Sequence, residues 1–168
     1  MSESIITHRG VVYPWQCDHM GHMNVMWYVG KFDEASWQIL GMLGLTSSYL
    51  RNQGTGMAAV EQRVEYKREV RSGTAITISS AVLEFTEKAI HLAHEMTNDE
   101  TGEVVATTVV VAVHFDVAAR KARPLPAHIR ERAALMIASG IGDLIDGSSR
   151  VTSRNVSRDE LELVGSAF

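Results

Sequence analysis

YPWQCDHMGHMNVMWYVGKFDEASWQILGMLGL, Tyr13 to Leu45, is the stretch on which the reading of this chain turns. It begins as a short extended run, passes through a turn containing Gly21 and two histidines, and continues into a segment that is apolar on nearly every side. Val25, Val29, Phe32, Ser36, Ile39 and Leu43 follow one helical stripe, while Met26, Trp27, Trp37, Leu40 and Met42 carry apolar surface around the cylinder. Such a helix is expected to be buried and wrapped by other elements. Gly30, Ala35, Ser36 and Gly41 are small enough to let neighbouring backbone approach, although each Gly costs about 1 kcal/mol of helix propensity relative to Ala.

The front of this helix is the place to look for chemistry. Asn24 is a strong N-cap residue placed just before the apolar run, and the first turn after it leaves backbone N–H groups unpaired. Those donors and the positive end of the helix dipole can polarise a carbonyl oxygen that is becoming negative. Asp18 lies a few residues upstream, across the turn that Gly21 permits, so one short loop delivers a carboxylate and an oxyanion site together.

Working outward, Thr46 to Gly56 reads as a polar surface loop with at most a turn of helix. From Met57 to Tyr66 the pattern switches to period two, with Val60, Gln62, Val64 and Tyr66 alternating against Glu61, Arg63 and Glu65, as in a half-exposed strand. Lys67 to Gly73 is a charged connection. Thr74 to Phe85 and Ala89 to Thr97 are strand-like and joined by a short polar break, which predicts a hairpin. After the turn Asn98-Asp99-Glu100-Thr101-Gly102, the β-branched run Glu103 to Phe115 is apolar on both faces and reads as a central strand. Arg120 to Pro126 closes the region, Ala127 to Ala138 has the composition of a terminal helix, and 140–168 supports no structural assignment. One helix followed by consecutive antiparallel strands implies an α+β fold, with a curved antiparallel sheet wrapped around one long central helix. The organisation expected is a single domain over 1–138 and a C-terminal extension over 139–168. A free sheet edge in such an arrangement is commonly hidden by a second copy.

Composition bounds the function. The chain has 168 residues, 45% hydrophobic and 21% charged, which suits a soluble globular domain with a sizeable core. A formal net charge of -4 argues against a nucleic-acid binder. The single cysteine, Cys17, allows no internal disulfide and no thiolate metal site, and its neighbour Asp18 would raise rather than lower a thiol pKa. No signal-peptide pattern opens the chain and no apolar run approaches the roughly 20 residues needed to span a bilayer, so a cytoplasmic protein with no membrane partner is expected.

The run Asp18-His19-Met20-Gly21-His22-Met23-Asn24, with Tyr28, Phe32, Glu34-Ala35 and Leu43-Gly44-Leu45 on and after the helix, resembles the hot-dog-fold acyl-CoA thioesterases, specifically the 4-hydroxybenzoyl-CoA thioesterase-like group. Tyr66, the Val70-Arg71-Ser72-Gly73 turn and the Arg120-Lys121 and Pro124-Leu125-Pro126 closure extend the resemblance over roughly Thr7 to Arg132. The resemblance implies the hot-dog fold and hydrolysis of an acyl-CoA thioester to a free acid and coenzyme A. It also implies Asp18 as the catalytic carboxylate, either nucleophile or general base, and the backbone N–H of Val25 as donor to the thioester oxygen. Coenzyme A is then part of the substrate and no cofactor is implied; a homodimer or homotetramer is expected. The sequence departs from many relatives at Thr74, where an acidic residue is common, and at Ser36, where an Arg often follows the alanine.

Each assignment has a plainer rival. Asp18 can be an Asx-turn residue, and Asn24 a cap with no further role or one that also orients water or substrate. His19 and His22 lack a third His or Cys at ligand spacing, so no metal is expected, and His22 is read as hydrogen-bonding within its loop. His91, His94 and His114 are read as packed or surface histidines, and Trp15, Trp27 and Trp37 as core or pocket wall. Lys67, Arg68, Arg71, Arg120, Lys121 and Arg123 serve solubility or bind the phosphates of coenzyme A. A hydratase or dehydratase on the same fold, using a His–Asp pair at the helix end, and a non-catalytic acyl-CoA-binding module are the alternatives to a hydrolase.

Overall fold

The computed structural model describes residues 5–138 of the chain, and the expected extension over 139–168 lies outside the described residues. In chain order the elements are β1 (Ile5–Val11), α1 (Val25–Leu43), α2 (Ser47–Gln53), β2 (Thr55–Tyr66), β3 (Ala75–Phe85), β4 (Ala89–Asn98), β5 (Val104–Asp116), β6 (Lys121–Ala122) and α3 (Ala127–Ala138). The sheet runs in the order β1-β3-β4-β5-β2, with β6 added to β5 and every pair antiparallel. The expected hairpin is β3 with β4, and the β-branched run is the interior strand β5.

α1 lies against the sheet, meeting β1, β3 and β4. Tyr28, Lys31, Phe32, Ala35, Ser36, Ile39, Leu40 and Leu43 are its buried residues, at the three- and four-residue steps of one helix face. One end of that face packs with Ile90, Leu92, Leu125 and Ile129, and the other with Ile76, Ile78 and Met96. The helix is therefore covered on one side only, which corrects the expectation of a helix wrapped all round. Val25, Met26, Val29, Trp37 and Met42 are exposed, because a single sheet can cover one face of a cylinder. Nothing approaches within 4 Å of a Cβ built at Gly30 or Gly41, so neither glycine admits a close neighbour within the described chain. Gly44 ends the helix in the left-handed region at φ 100, with its N–H bonded back to Leu40 and Gly41 carbonyls.

Three local differences from the sequence reading have simple causes. β1 was not anticipated: it lies at a sheet margin, Thr7 is its one fully buried side chain, and a register shift between Ile6 and His8 breaks its alternation. α2 replaces the expected loop because the polar residues there act as helix ends: Thr46 Oγ1 accepts the Tyr49 N–H at 3.2 Å and Gly54 stops the helix at φ 62. Trp15 is not a core residue. The short 3-10 turn Pro14–Gln16 points it outward, 67% exposed and stacked on Tyr13 at 4.4 Å, while Gln16 turns inward and accepts the Tyr13 N–H.

His91, His94 and His114 are all packed, as expected. His114 holds the closing segment to β5, its Nδ1 lying 3.1 Å from the carbonyls of Arg123 and Pro124. No helix among the described residues is long and apolar enough to cross a membrane.

Candidate active site

The loop before α1 is a small hairpin. Cys17 and Met23 form an isolated antiparallel bridge, the Asp18 N–H donates to His22 O, and the Gly21 N–H donates back to Asp18 O, both at 3.0 Å. Gly21 sits at φ 79, a conformation a side chain would strain, so the turn needs glycine there. Two further bonds fasten this hairpin to the body: Met23 N–H to Val70 O and Asn24 N–H to Gln16 O, each 2.8 Å.

Asp18 and Asn24 are brought into direct contact. Asp18 Oδ1 accepts the Met20 N–H at 2.9 Å, the Asx-turn bond, and Asp18 Oδ2 accepts the Asn24 side-chain amide at 3.2 Å. The Met20 N–H above all, with smaller help from the Asn24 amide and the nearby His19 and His22, holds this carboxyl below its ordinary range against an opposing desolvation. It is an anion at neutral pH. Asn24 spends its other end on the helix: Oδ1 accepts the Met26 N–H at 3.1 Å, capping α1. One amide thus ties the carboxylate to the helix start. The next donor along, the Val25 N–H, has no partner among the described residues and sits at the positive end of α1.

Asp18 and Val25 share a cavity of about 520 Å³ with His22, Tyr28, Tyr66, Lys67, Arg68 and Glu69. Tyr28 and Tyr66 meet edge to face with centroids 5.2 Å apart, and the Tyr28 hydroxyl donates to Arg68 O at 3.3 Å. His22 bonds outside its own loop, with Nε2 3.0 Å from Glu69 Oε2, in place of the expected bond within it. Glu69 was missed in the sequence, where it is one charge in a charged connection; only the fold sets it against His22. The basic residues separate. Lys67 and Arg68 line the cavity, whereas Arg120 belongs to the β5–β6 turn, Lys121 to β6, and Arg123 follows β6, 3.7 Å from Asp116. His19 is exposed, and among the described residues no group of three or more His, Cys, Asp or Glu side chains is arranged to hold a metal ion.

A second polar constellation lies deeper, between the middle of α1 and the sheet. Ser36 Oγ donates to Phe32 O at 3.0 Å and therefore accepts from Nε2–H of His94 at 2.9 Å. Nδ1 of His94 then accepts the Ser80 hydroxyl, which lies 2.6 Å from Thr7 Oγ1. The imidazole is wholly buried, and desolvation pushes its pKa down to about 4, so it is a neutral bridge with both nitrogens engaged.

With this geometry described, its likeness to known proteins can be placed. The chain is 22% identical over 153 residues to a betainyl-CoA thioesterase of Pseudomonas aeruginosa, covering 86% of this chain and 96% of that one. It is 29% identical over 135 residues to an L-carnitine dehydrogenase/betainyl-CoA thioesterase of Rhizobium meliloti, covering 79% of this chain. That match and a similar one from Agrobacterium fabrum span only 27% and 22% of the two bifunctional relatives. Among solved structures, a Staphylococcus aureus protein in complex with CoA superposes at a TM-score of 0.76 with 19% identity, covering 81% of this chain and 86% of that one. A 1,4-dihydroxy-2-naphthoyl-CoA thioesterase from Synechocystis superposes at 0.69 with 16% identity, over 77% and 95% of the two chains. These structures share the antiparallel sheet curled about a helix that characterises the hot-dog fold. The model of the thioesterase-like superfamily matches residues 12–133, from just after β1 into the terminal helix, and the chain belongs to that family.

Proposed function

We propose that this chain hydrolyses acyl-CoA thioesters, with Asp18 as the catalytic carboxylate and the Val25 N–H as the oxyanion donor. The observation that carries the reading is the Asn24 side chain, which bonds Asp18 Oδ2 with one end and the first turn of α1 with the other. That link holds a carboxylate and an unpaired backbone donor in register, the requirement for adding an oxygen nucleophile to a polarised carbonyl. The thioester oxygen would sit on the Val25 N–H as negative charge develops. Asp18 then acts in one of two balanced ways. As nucleophile, its oxygen bonds to the acyl carbon, the C–S bond breaks, and sulfur leaves as a thiolate; water cleaves the resulting anhydride. As general base, it takes a proton from water while the oxygen of that water adds to the acyl carbon, and collapse again expels the thiolate. Both routes leave a free acid and coenzyme A.

The hydratase alternative needs an imidazole working with Asp18. His22 is bonded to Glu69 and Asp18 to Met20 and Asn24, which weighs toward hydrolysis. Lys67 and Arg68, at the cavity, are the cations proposed to meet the phosphates of coenzyme A. A homodimer is proposed as the smallest assembly, formed along β2, which lies at the margin of the sheet. Sedimentation showing a monomer at micromolar concentration would remove it. The relatives named for betainyl-CoA bring acyl groups that carry an ammonium within range. The test of the function is thiol release from a panel of short, medium, branched, aromatic and ammonium-bearing acyl-CoA esters. Turnover of at least one supports the reading; binding without release of thiol from any of them leaves the acyl-CoA-binding module in its place.

A further inference from the structure

A second cavity, about 160 Å³, lies on the side of α1 that the sheet leaves open, between the helix and β2. Its walls are largely apolar, with Val29 from the helix, Met57 from β2 and Leu92 and Val110 from the sheet floor. Two residues set its character. Asp33 is the charged residue of the lining and has no hydrogen-bond or ion-pair partner among the described residues. Trp37, one helical turn further on, is 44% exposed and flanks the same space with its indole. The Ser36 hydroxyl, also in the lining, is already committed to Phe32 O and His94, so it does not compete for a ligand.

The cavity lies further along α1 from the proposed oxyanion donor. Val25, Val29, Asp33 and Trp37 recur at four-residue steps, a row that runs along the helix while turning about 40° around it at each step. Asp33 is two turns from Val25, about 12 Å along the axis, and helix side chains lean back toward the N-terminus, which shortens that span. An acyl chain whose carbonyl sits on the Val25 N–H would have to extend over about that distance, past Val29, for its end to lie beside Asp33 and Trp37. A carboxylate beside an indole face, with apolar walls around both, attracts a positively charged nitrogen clothed in methyl or methylene groups and repels a terminal carboxylate.

We propose that this cavity is the acyl-end subsite and that it selects acyl groups terminating in a cationic nitrogen, spaced from the thioester by several methylenes. The proposal rests on the thioesterase reading. It names Asp33 and Trp37 as specificity residues, not as participants in bond breaking.

The test compares trimethylammoniooctanoyl-CoA, whose extended chain matches the span from Val25 to Asp33, with its neutral isostere, dimethyldecanoyl-CoA, in which a carbon replaces the nitrogen and the shape is unchanged. For the wild type, kcat/KM should favour the cation by about tenfold to a hundredfold, a preference that shrinks as salt is added. Asp33→Asn should bring the ratio near unity, and Trp37→Leu should lower it several-fold. Asp33 is exposed on the helix, so its Asn variant is expected to fold, and continued turnover of the isostere by that variant reports folding directly. A wild-type ratio near one, as when a second copy fills the cavity, overturns the proposal while leaving the thioesterase reading standing. A high ratio that survives Asp33→Asn also overturns it. Failure to hydrolyse either ester, or any other acyl-CoA, overturns the thioesterase reading and this proposal with it.

Discussion

Two polar groupings touch α1, and they are built on opposite terms. At its middle, Thr7, Ser80, His94 and Ser36 are buried, and their hydroxyls and both imidazole nitrogens are matched to one another or to backbone. At its start, Asp18 is bonded but open to solvent, and the Val25 N–H beside it has no partner among the described residues. A histidine between two serines inside a protein looks more like a catalytic group than an aspartate in a surface turn does. The difference teaches the reverse. Hydrogen-bonding capacity that is fully used holds a fold together, whereas capacity left unspent beside a cavity is what a substrate can engage.

The comparison breaks most directly at Asp18. Asn keeps an oxygen for the Met20 N–H yet cannot attack a thioester or take a proton, so Asp18→Asn should lower kcat by roughly 10²–10⁴ while acyl-CoA binding persists. A loss of only a few-fold in steady-state thiol release would return Asp18 to the role of a turn residue. Next in size is the backbone donor. Val25 is the first helical residue, where proline is tolerated, and Asn24 before it is extended at φ -68, ψ 146, as a residue preceding proline should be. Val25→Pro therefore deletes one N–H and little else: kcat should fall by about 10²–10³ with the urea midpoint nearly unchanged. Unaltered turnover would exclude this donor.

The buried grouping is probed by pH rather than turnover. The pKa of His94 is near 4 in the folded chain against 6.5 as its ordinary value, so the folded state resists a proton that the unfolded state takes up. Stability should be full above pH 6.5, decline by up to about 1.4 kcal/mol per pH unit below it, and level off for this group below its folded pKa. His8, also lowered by burial, acts in the same direction. Urea unfolding of His94→Gln across that window should show a shallower slope than the wild type; equal slopes would mean His94 does not report its burial. The smallest effect belongs to the residue that serves both stability and chemistry at the helix start. Asn24→Ala should cost about 0.5–2 kcal/mol through the lost cap and also reduce kcat, whereas Asn24→Asp should keep the cap and lose the donor to Asp18. If both variants lower stability and turnover in proportion, the amide bridge to Asp18 has no catalytic part.

Much of this molecule is legible in local pattern. The helix, the β3–β4 hairpin, β5 and α3 follow from periodicity and turn residues, because those signals act between neighbours in the chain. Asp18 and Asn24 could be singled out for the same reason: six residues, one Gly turn and one cap are enough to bring them together. Other features depended on where the chain folds back. That Val25, Val29 and Trp37 face outward follows from a sheet covering one side of α1, which an all-round apolar helix cannot announce. The pairing of His22 with Glu69 joins two loops 47 residues apart. Ser36 meets His94 across 58 residues, and Asp33 borders a cavity only because β2 passes beside α1. Sequence by itself determined the elements and the chemistry available at the helix start, since those rest on short-range geometry. Tertiary structure decided which groups are saturated and which remain available, because partners distant in the chain meet only when the sheet closes over the helix.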